Sequence, residues 1–90
     1  MQKTITLETP IQRGETQITE VTLRKPQSGE LRGLELADLL RMDVTANIKL
    51  LPRITTPTLT EADVAALDVA DLTVLASEVS SFLLPKSAQV

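Results

Sequence analysis

Polar and apolar residues alternate at the start of the chain. In residues 4–9 (TITLET), Ile5 and Leu7 share one parity, and Thr4, Thr6 and Glu8 the other. A period of two marks a half-buried strand. Pro10 and Gly14 then signal a turn over residues 10–15. Residues 16–24 (TQITEVTLR) are rich in Thr, Ile and Val, which favour strands. Ile18 has the opposite parity to Val21 and Leu23, so either a bulge lies near Thr19 and Glu20 or Ile18 faces outward. Two strands joined by a short Gly-containing loop predict a β-hairpin over residues 4–25. A lone hairpin is marginal in water, so this one must pack against something.

Pro26 closes the second strand, and Ser28 is a candidate helix cap. The chain then turns Leu-rich, with Leu31, Leu34, Leu36, Leu39 and Leu40. Gly33 interrupts this run, so one short turn is expected over 28–33 and another over 35–41. Asp43 reads as a further N-cap. Val44, Ile48 and Leu51 recur on one helical face, and Pro52 is expected to end that helix. Residues 52–58 (PRITTPT) read as an extended connector.

The last third repeats one start signal. Thr60 with Asp63 forms a capping box, and Leu59 with Val64 a hydrophobic staple. Eight residues on, Asp68, Asp71, Leu67 and Leu72 repeat the arrangement, which predicts capping roles for both aspartates. An apolar stripe follows: Leu72, Leu75, Ala76, Val79, Phe82 and Leu83. Pro85 stops it, leaving residues 85–90 as an expected flexible tail. The predicted architecture is α+β. An N-terminal antiparallel β-hairpin precedes a small bundle of three to four short α-helices (28–51 and 60–84), all within one small domain, 1–90.

Composition narrows the chemistry. Among 90 residues there is no His, Cys, Trp or Tyr, and Phe82 is the one aromatic. Imidazole bases, thiolate nucleophiles, disulfides and the commonest zinc ligands are therefore excluded. The glycines at 14, 29 and 33 match no phosphate-binding loop. Carboxylates remain as candidate acid–base groups, in the sets Asp38 with Asp43, Asp63, and Asp68 with Asp71. Their capping roles are the simpler reading, and so small a core rarely encloses a catalytic pocket. No enzyme activity, cofactor or metal is expected.

Charge argues against nucleic acid. The formal net charge is −3. Residues 54–90 hold Lys86 against five acidic residues, and Arg24-Lys25 is the one adjacent basic pair. The longest apolar run is Val64-Ala65-Ala66-Leu67, too short for a signal peptide or a membrane span, so no membrane partner and a cytoplasmic location are expected.

The order of several short strings carries a family resemblance. They are Leu23-Arg24-Lys25-Pro26, Gly29-Glu30-Leu31-Arg32-Gly33-Leu34, Leu36-Ala37-Asp38-Leu39-Leu40, Leu50-Leu51-Pro52-Arg53-Ile54-Thr55, Pro57-Thr58-Leu59-Thr60, and Asp71-Leu72 on to Phe82-Leu83. Across residues 4–84 this series resembles the tail assembly chaperone family of contractile-tailed and Mu-like phages and prophages. The resemblance implies a small cytoplasmic protein that binds the tape measure protein, keeps it soluble and assists tail-tube assembly without staying in the virion. It also implies a second, longer product made by ribosomal frameshifting; Phe82-Leu83 is a dipeptide that a T-rich slippery run can encode. It carries over no catalytic residues. A minor structural tail or baseplate protein and a small non-enzymatic regulator are the competing readings.

Such a chaperone needs apolar surface. The densest stripes supply the expected partner-binding residues: Leu36, Leu39, Leu40, Leu72, Leu75, Val79, Phe82 and Leu83. A small domain needs most of its apolar area for the core, so a mixed arrangement is expected, with one edge packed and the other left for a partner. Self-association, and association with the longer form, fit the same surfaces.

Overall fold

The computed structural model describes residues 2–85. Strand β1 (Gln2–Arg13) pairs antiparallel with β2 (Thr16–Arg24) through a two-residue turn. Gly14 takes φ 59° there, the left-handed conformation that short hairpin loops require. A 3-10 turn (Ser28–Leu31) leads to α1 (Leu36–Leu40) and α2 (Val44–Ile54). A two-residue strand β3 (Thr55–Thr56) returns to β2, and α3 (Glu61–Ala65) and α4 (Val69–Phe82) follow. The architecture is α+β, as the sequence pattern predicts. The hairpin is extended to a three-stranded antiparallel sheet in the order β1-β2-β3.

The turn falls within the expected residues 10–15 but only at its Gly14 end; β1 runs through Pro10 to Arg13. The five steps from Thr6 to Ile11 on β1 face only two, from Glu20 to Ile18, on β2. The surplus is a bulge at residues 7–10 of an edge strand, where Pro10 has no ladder hydrogen bond to donate. The bulge lies opposite Thr19, close to where the parity of Ile18 points. Because the register shifts there, Ile18 turns inward and is buried, which overturns its outward-facing alternative.

One side chain holds this bulge. The Asp71 carboxylate, buried on α4, accepts from the Glu8 N–H at 2.8 Å and the Thr9 N–H at 3.0 Å. Asp71 therefore clamps a strand rather than capping its own helix. Capping at this end falls to Asp68, which accepts from the Ala70 N–H at 2.8 Å and from the Thr9 hydroxyl at 3.2 Å. The Lys3–Glu78 ion pair ties the other end of β1 to α4.

Two further expectations change. α2 passes through Pro52 and ends at Ile54. An interior proline costs about 3 kcal/mol. Against that cost, Ile54 is buried in the core, and Arg53 donates to the Glu30 and Arg32 carbonyls at 2.7 and 3.0 Å. The buried face of α2 is Ala46, Asn47, Leu50, Leu51 and Ile54, so Val44 points to solvent. The 3-10 turn is capped from Gln27 rather than Ser28, and the Glu30 carboxylate accepts from the Gln27 N–H at 3.0 Å. The caps at Asp43 and Thr60 form where expected, accepting from the Ala46 N–H at 2.9 Å and the Asp63 N–H at 3.0 Å.

The core lies between one face of the sheet and the helices. It includes Val21 and Leu23 of β2, Leu50, Leu51 and Ile54 of α2, and Leu75, Val79 and Phe82 of α4. Leu39 joins it from α1, which is fixed to α4 by the Ser80 hydroxyl, 3.1 and 3.0 Å from the Leu39 and Leu40 carbonyls.

Two tests follow from these contacts. Asp71→Ala leaves two strand N–H groups without their acceptor and is expected to lower unfolding free energy by about 2–4 kcal/mol in urea titrations. Asp71→Asn keeps one acceptor and should fall between that variant and wild type. The second test uses Glu30, which the Arg24 guanidinium and then the Gln27 N–H hold down to about 2 from its ordinary 4.5. Folding thus favours the ionised form. Its contribution is fully present above about pH 4.5 and is lost as pH falls toward about 2. Asp63, lowered by the Thr60 N–H and Arg13, acts in the same direction. Melting temperatures of wild type and Glu30→Gln should differ at neutral pH and converge across that acid window.

Candidate functional site

The candidate carboxylates are already engaged. Asp38 pairs with Arg41, Asp43 caps α2, and Asp63 pairs with Arg13 while accepting from the Thr60 N–H at 2.9 Å. Asp68 and Asp71 hold the start of α4 and the β1 bulge. Among the described residues no group of three or more His, Cys, Asp or Glu side chains is placed to hold a metal ion. No described helix is long and apolar enough to cross a membrane.

Apolar surface is what the fold presents. Of the eight expected partner-binding residues, Leu39, Leu75, Val79 and Phe82 are buried in the core. Leu72 and Leu83 are half-buried against it. Leu36 and Leu40 stand out on α1, at 57% and 47% exposure. These two lie one turn apart on α1, on either side of the buried Leu39. Sequence reasoning did not single out four further exposed apolar residues: Val44, Val69, Val74 and Leu84. Val44 lies on the face of α2 that periodicity assigned to the core, and Val69 and Val74 lie outside the stripe of α4.

α1 docks beside the C-terminal half of α4, and a groove of about 360 Å³ opens where α4 ends. Leu31 and Phe82 line it together with Pro26, Leu36, Leu83 and Leu84. Lys25, just past the end of β2, is the one charged side chain in the lining among the described residues. Its neighbour Arg24 is turned away into a bidentate pair with Glu30 and also donates to the Arg53 carbonyl at 2.9 Å. That pairing raises the Arg24 pKa further, chiefly through the Glu30 hydrogen bond. On the other side of α1 a smaller cleft of about 230 Å³ is lined by Glu35, Asp38, Asp43 and Lys49. α1 is thus a ridge between an apolar groove with a cationic rim and a mainly acidic cleft. A larger cleft, about 420 Å³, runs along β2 from Thr16 to Glu20 beside Pro57 and holds none of the eight residues.

This arrangement presents an apolar surface that a partner could cover. It brings Leu36, Phe82 and Leu83 to one groove, leaves Leu40 on the adjoining ridge, and commits Leu39, Leu75 and Val79 to the core. No sequence signal pairs residues 25–36 with residues 82–85; that juxtaposition is made by the packing of α1 on α4.

Known proteins with this sequence pattern serve phage tail assembly. A family model described as phage tail assembly chaperone proteins, E, or 41 or 14, matches residues 4–84. Tail assembly protein E of Escherichia phage P2 is 53% identical over 85 residues, covering 94% of this chain and 93% of the relative. Tail assembly protein E′ of the same phage is 50% identical over 86 residues, 96% of this chain but 61% of that longer relative. No solved structure matches the chain. With the family match spanning nearly all of the described fold, the chain belongs to the phage tail assembly chaperone family.

Proposed function

We propose that this chain is a non-enzymatic chaperone that binds the tape measure protein in the bacterial host cytoplasm, keeps it soluble while the tail tube assembles, and leaves before the virion is complete. The observation that carries this reading is the exposed Leu36–Leu40 pair beside the groove at the end of α4. A 90-residue domain has little apolar area to spare. Burying a Leu side chain fully is worth about 1.5–3 kcal/mol. Two leucines left half in water on one ridge therefore represent a standing gain for any partner that covers them. Membership of a tail assembly chaperone family supports a client from that pathway.

In this reading the buried residues Leu39, Leu75 and Val79 support the surface from behind. Leu36, Leu40, Leu83 and the rim of Phe82 meet the client, and Leu72 flanks the core farther along α4. A longer, frameshift-extended form is part of the same proposal. The difference in length between the E and E′ relatives supports it. The two forms, or two copies of the short one, would meet through the same apolar ridge.

Co-expression tests the function. A tape measure protein that is insoluble alone should become soluble and copurify with wild type, and should be lost with Leu36→Asp/Leu40→Asp. Both positions are exposed, so the double variant should keep the wild-type circular dichroism spectrum. Mass spectrometry of purified particles should find no copies of the chain. Retention in the particle at defined stoichiometry would make it a structural tail protein instead.

A further inference from the structure

The chemistry of the groove specifies more about its occupant than that it is apolar. We infer that the groove receives an amphipathic helix carrying a carboxylate beside its apolar stripe, read by Lys25. This deepens the chaperone reading and rests on it.

The first step concerns the backbone of the occupant. Groove residues come from the segment after β2, the 3-10 turn, α1 and the end of α4; none belongs to a strand. With no strand residue in the lining, an extended peptide laid there would find no ladder to satisfy its N–H and C=O groups. A helix satisfies its own backbone and brings only side chains to the apolar walls. The occupant is therefore helical, with leucine-like anchors one turn apart against Leu36 and Leu83.

The second step concerns charge. Lys25 is exposed and makes no ion pair among the described residues; Arg32, Lys49 and Arg53 make none either, but of these four cations Lys25 alone lines the groove among the described residues. Two carboxylates lie five residues from Lys25: Glu30 is already held by Arg24, and Glu20 lines the cleft along β2 beside Pro57. Asp38 of α1, Glu35 at its cap and Asp43 just beyond it border the cleft on the far side of the ridge. Among the described residues, a helix in the groove thus meets one unpaired cation and no carboxylate in the lining. In a chain of net charge −3, this local inversion favours acidic occupants that the rest of the surface repels.

Fluorescence anisotropy with the full chain tests the inference. The probes are two designed Ala-rich helical peptides that share one Leu stripe and differ only in flanking Glu or Lys. At low salt the Glu peptide should bind about 5–10-fold more tightly than the Lys peptide. The gap should close as salt rises to about 0.5 M. Lys25→Glu should reverse the preference. Leu36→Asp should weaken both peptides by about 30-fold or more. Val69→Asp, at the opposite end of α4, should leave both unchanged. Equal binding of the two peptides, no binding of either, an unaltered preference in Lys25→Glu, or an equal loss in Val69→Asp would overturn it. So would a dimer in sedimentation equilibrium that Leu36→Asp dissociates and that neither peptide displaces, which would assign the groove to a second copy. If the tape measure protein copurifies equally with Lys25→Glu, Leu36→Asp and wild type, the groove proposal fails and the chaperone reading stands. If it does not copurify with wild type, the chaperone reading itself fails.

Discussion

The Asp71 carboxylate is the contact on which the rest of the arrangement turns. A bulge in an edge strand leaves backbone N–H groups without ladder partners, and buried N–H groups must be paired. Asp71 pairs two at once, those of Glu8 and Thr9, from the first turn of α4. Fixing the bulge fixes the register shift, so that Ile5 with Val21 and Ile11 with Ile18 pair across β1 and β2 on either side of it. It also sets where α4 begins along β1, and the Lys3–Glu78 pair marks how the helix continues beside the strand. The position of the groove follows, because α4 ends a fixed length from Asp71 and α1 is held against that end through Ser80. The groove and the strand bulge are built from separate parts of the chain, yet one helix sets both.

The division of apolar residues between core and surface is tight. Val21, Leu23, Leu50, Leu51, Leu75 and Val79 are sealed in the core, and no aromatic other than Phe82 assists them. Phe82 is nearly buried yet also lines the groove, so core packing and groove shape are coupled at that side chain. α1 has only five residues and could not persist alone in water. It is kept by burying Leu39 and by the Ser80 contact, which leaves Leu36 and Leu40 on its outer side. Those two leucines are exposed because the helix anchors itself by a single side chain.

Local features of this fold were legible in the sequence and non-local ones were not. The caps at Asp43, Thr60 and Asp68 read correctly because a cap acts within about one turn. Asp71 occupies the same helical position as Asp63, but the partner that distinguishes it lies more than sixty residues away, at Glu8 and Thr9. Periodicity marked Ile18 as anomalous without showing that the surplus residues sit in the opposite strand. Pro52 reads as a stop because its cost is local, whereas the burial of Ile54 that outweighs it is tertiary. The pair Thr55 and Thr56 becomes a strand only because Thr22 and Leu23 are there to receive it. At the candidate site, the stripe from Leu72 to Leu83 was visible as apolar, but the packing that buries most of it and leaves its last turn open was not. Lys25 carried no signal until α1 and α4 placed it at a rim.

A binding surface built this way has energetic consequences. Interfaces that hold most tightly concentrate their energy in Trp, Tyr and Arg anchors seated in dry pockets. This chain has no Trp or Tyr, and arginines 13, 24 and 41 are in ion pairs with its own carboxylates. What it offers instead is leucine area and one rim cation, contacts that favour many apolar helices modestly rather than one strongly. Rim charges act mainly on the rate of encounter and on the choice of partner. Leucine area on a half-exposed ridge adds little resistance to release, since each side chain has only part of its burial left to gain. The same scarcity of aromatics that leaves the core to aliphatic side chains therefore gives a surface suited to temporary occupancy. In the proposed chaperone, a client held by such contacts would be kept from aggregating and could still be taken over by a partner that covers more of its length.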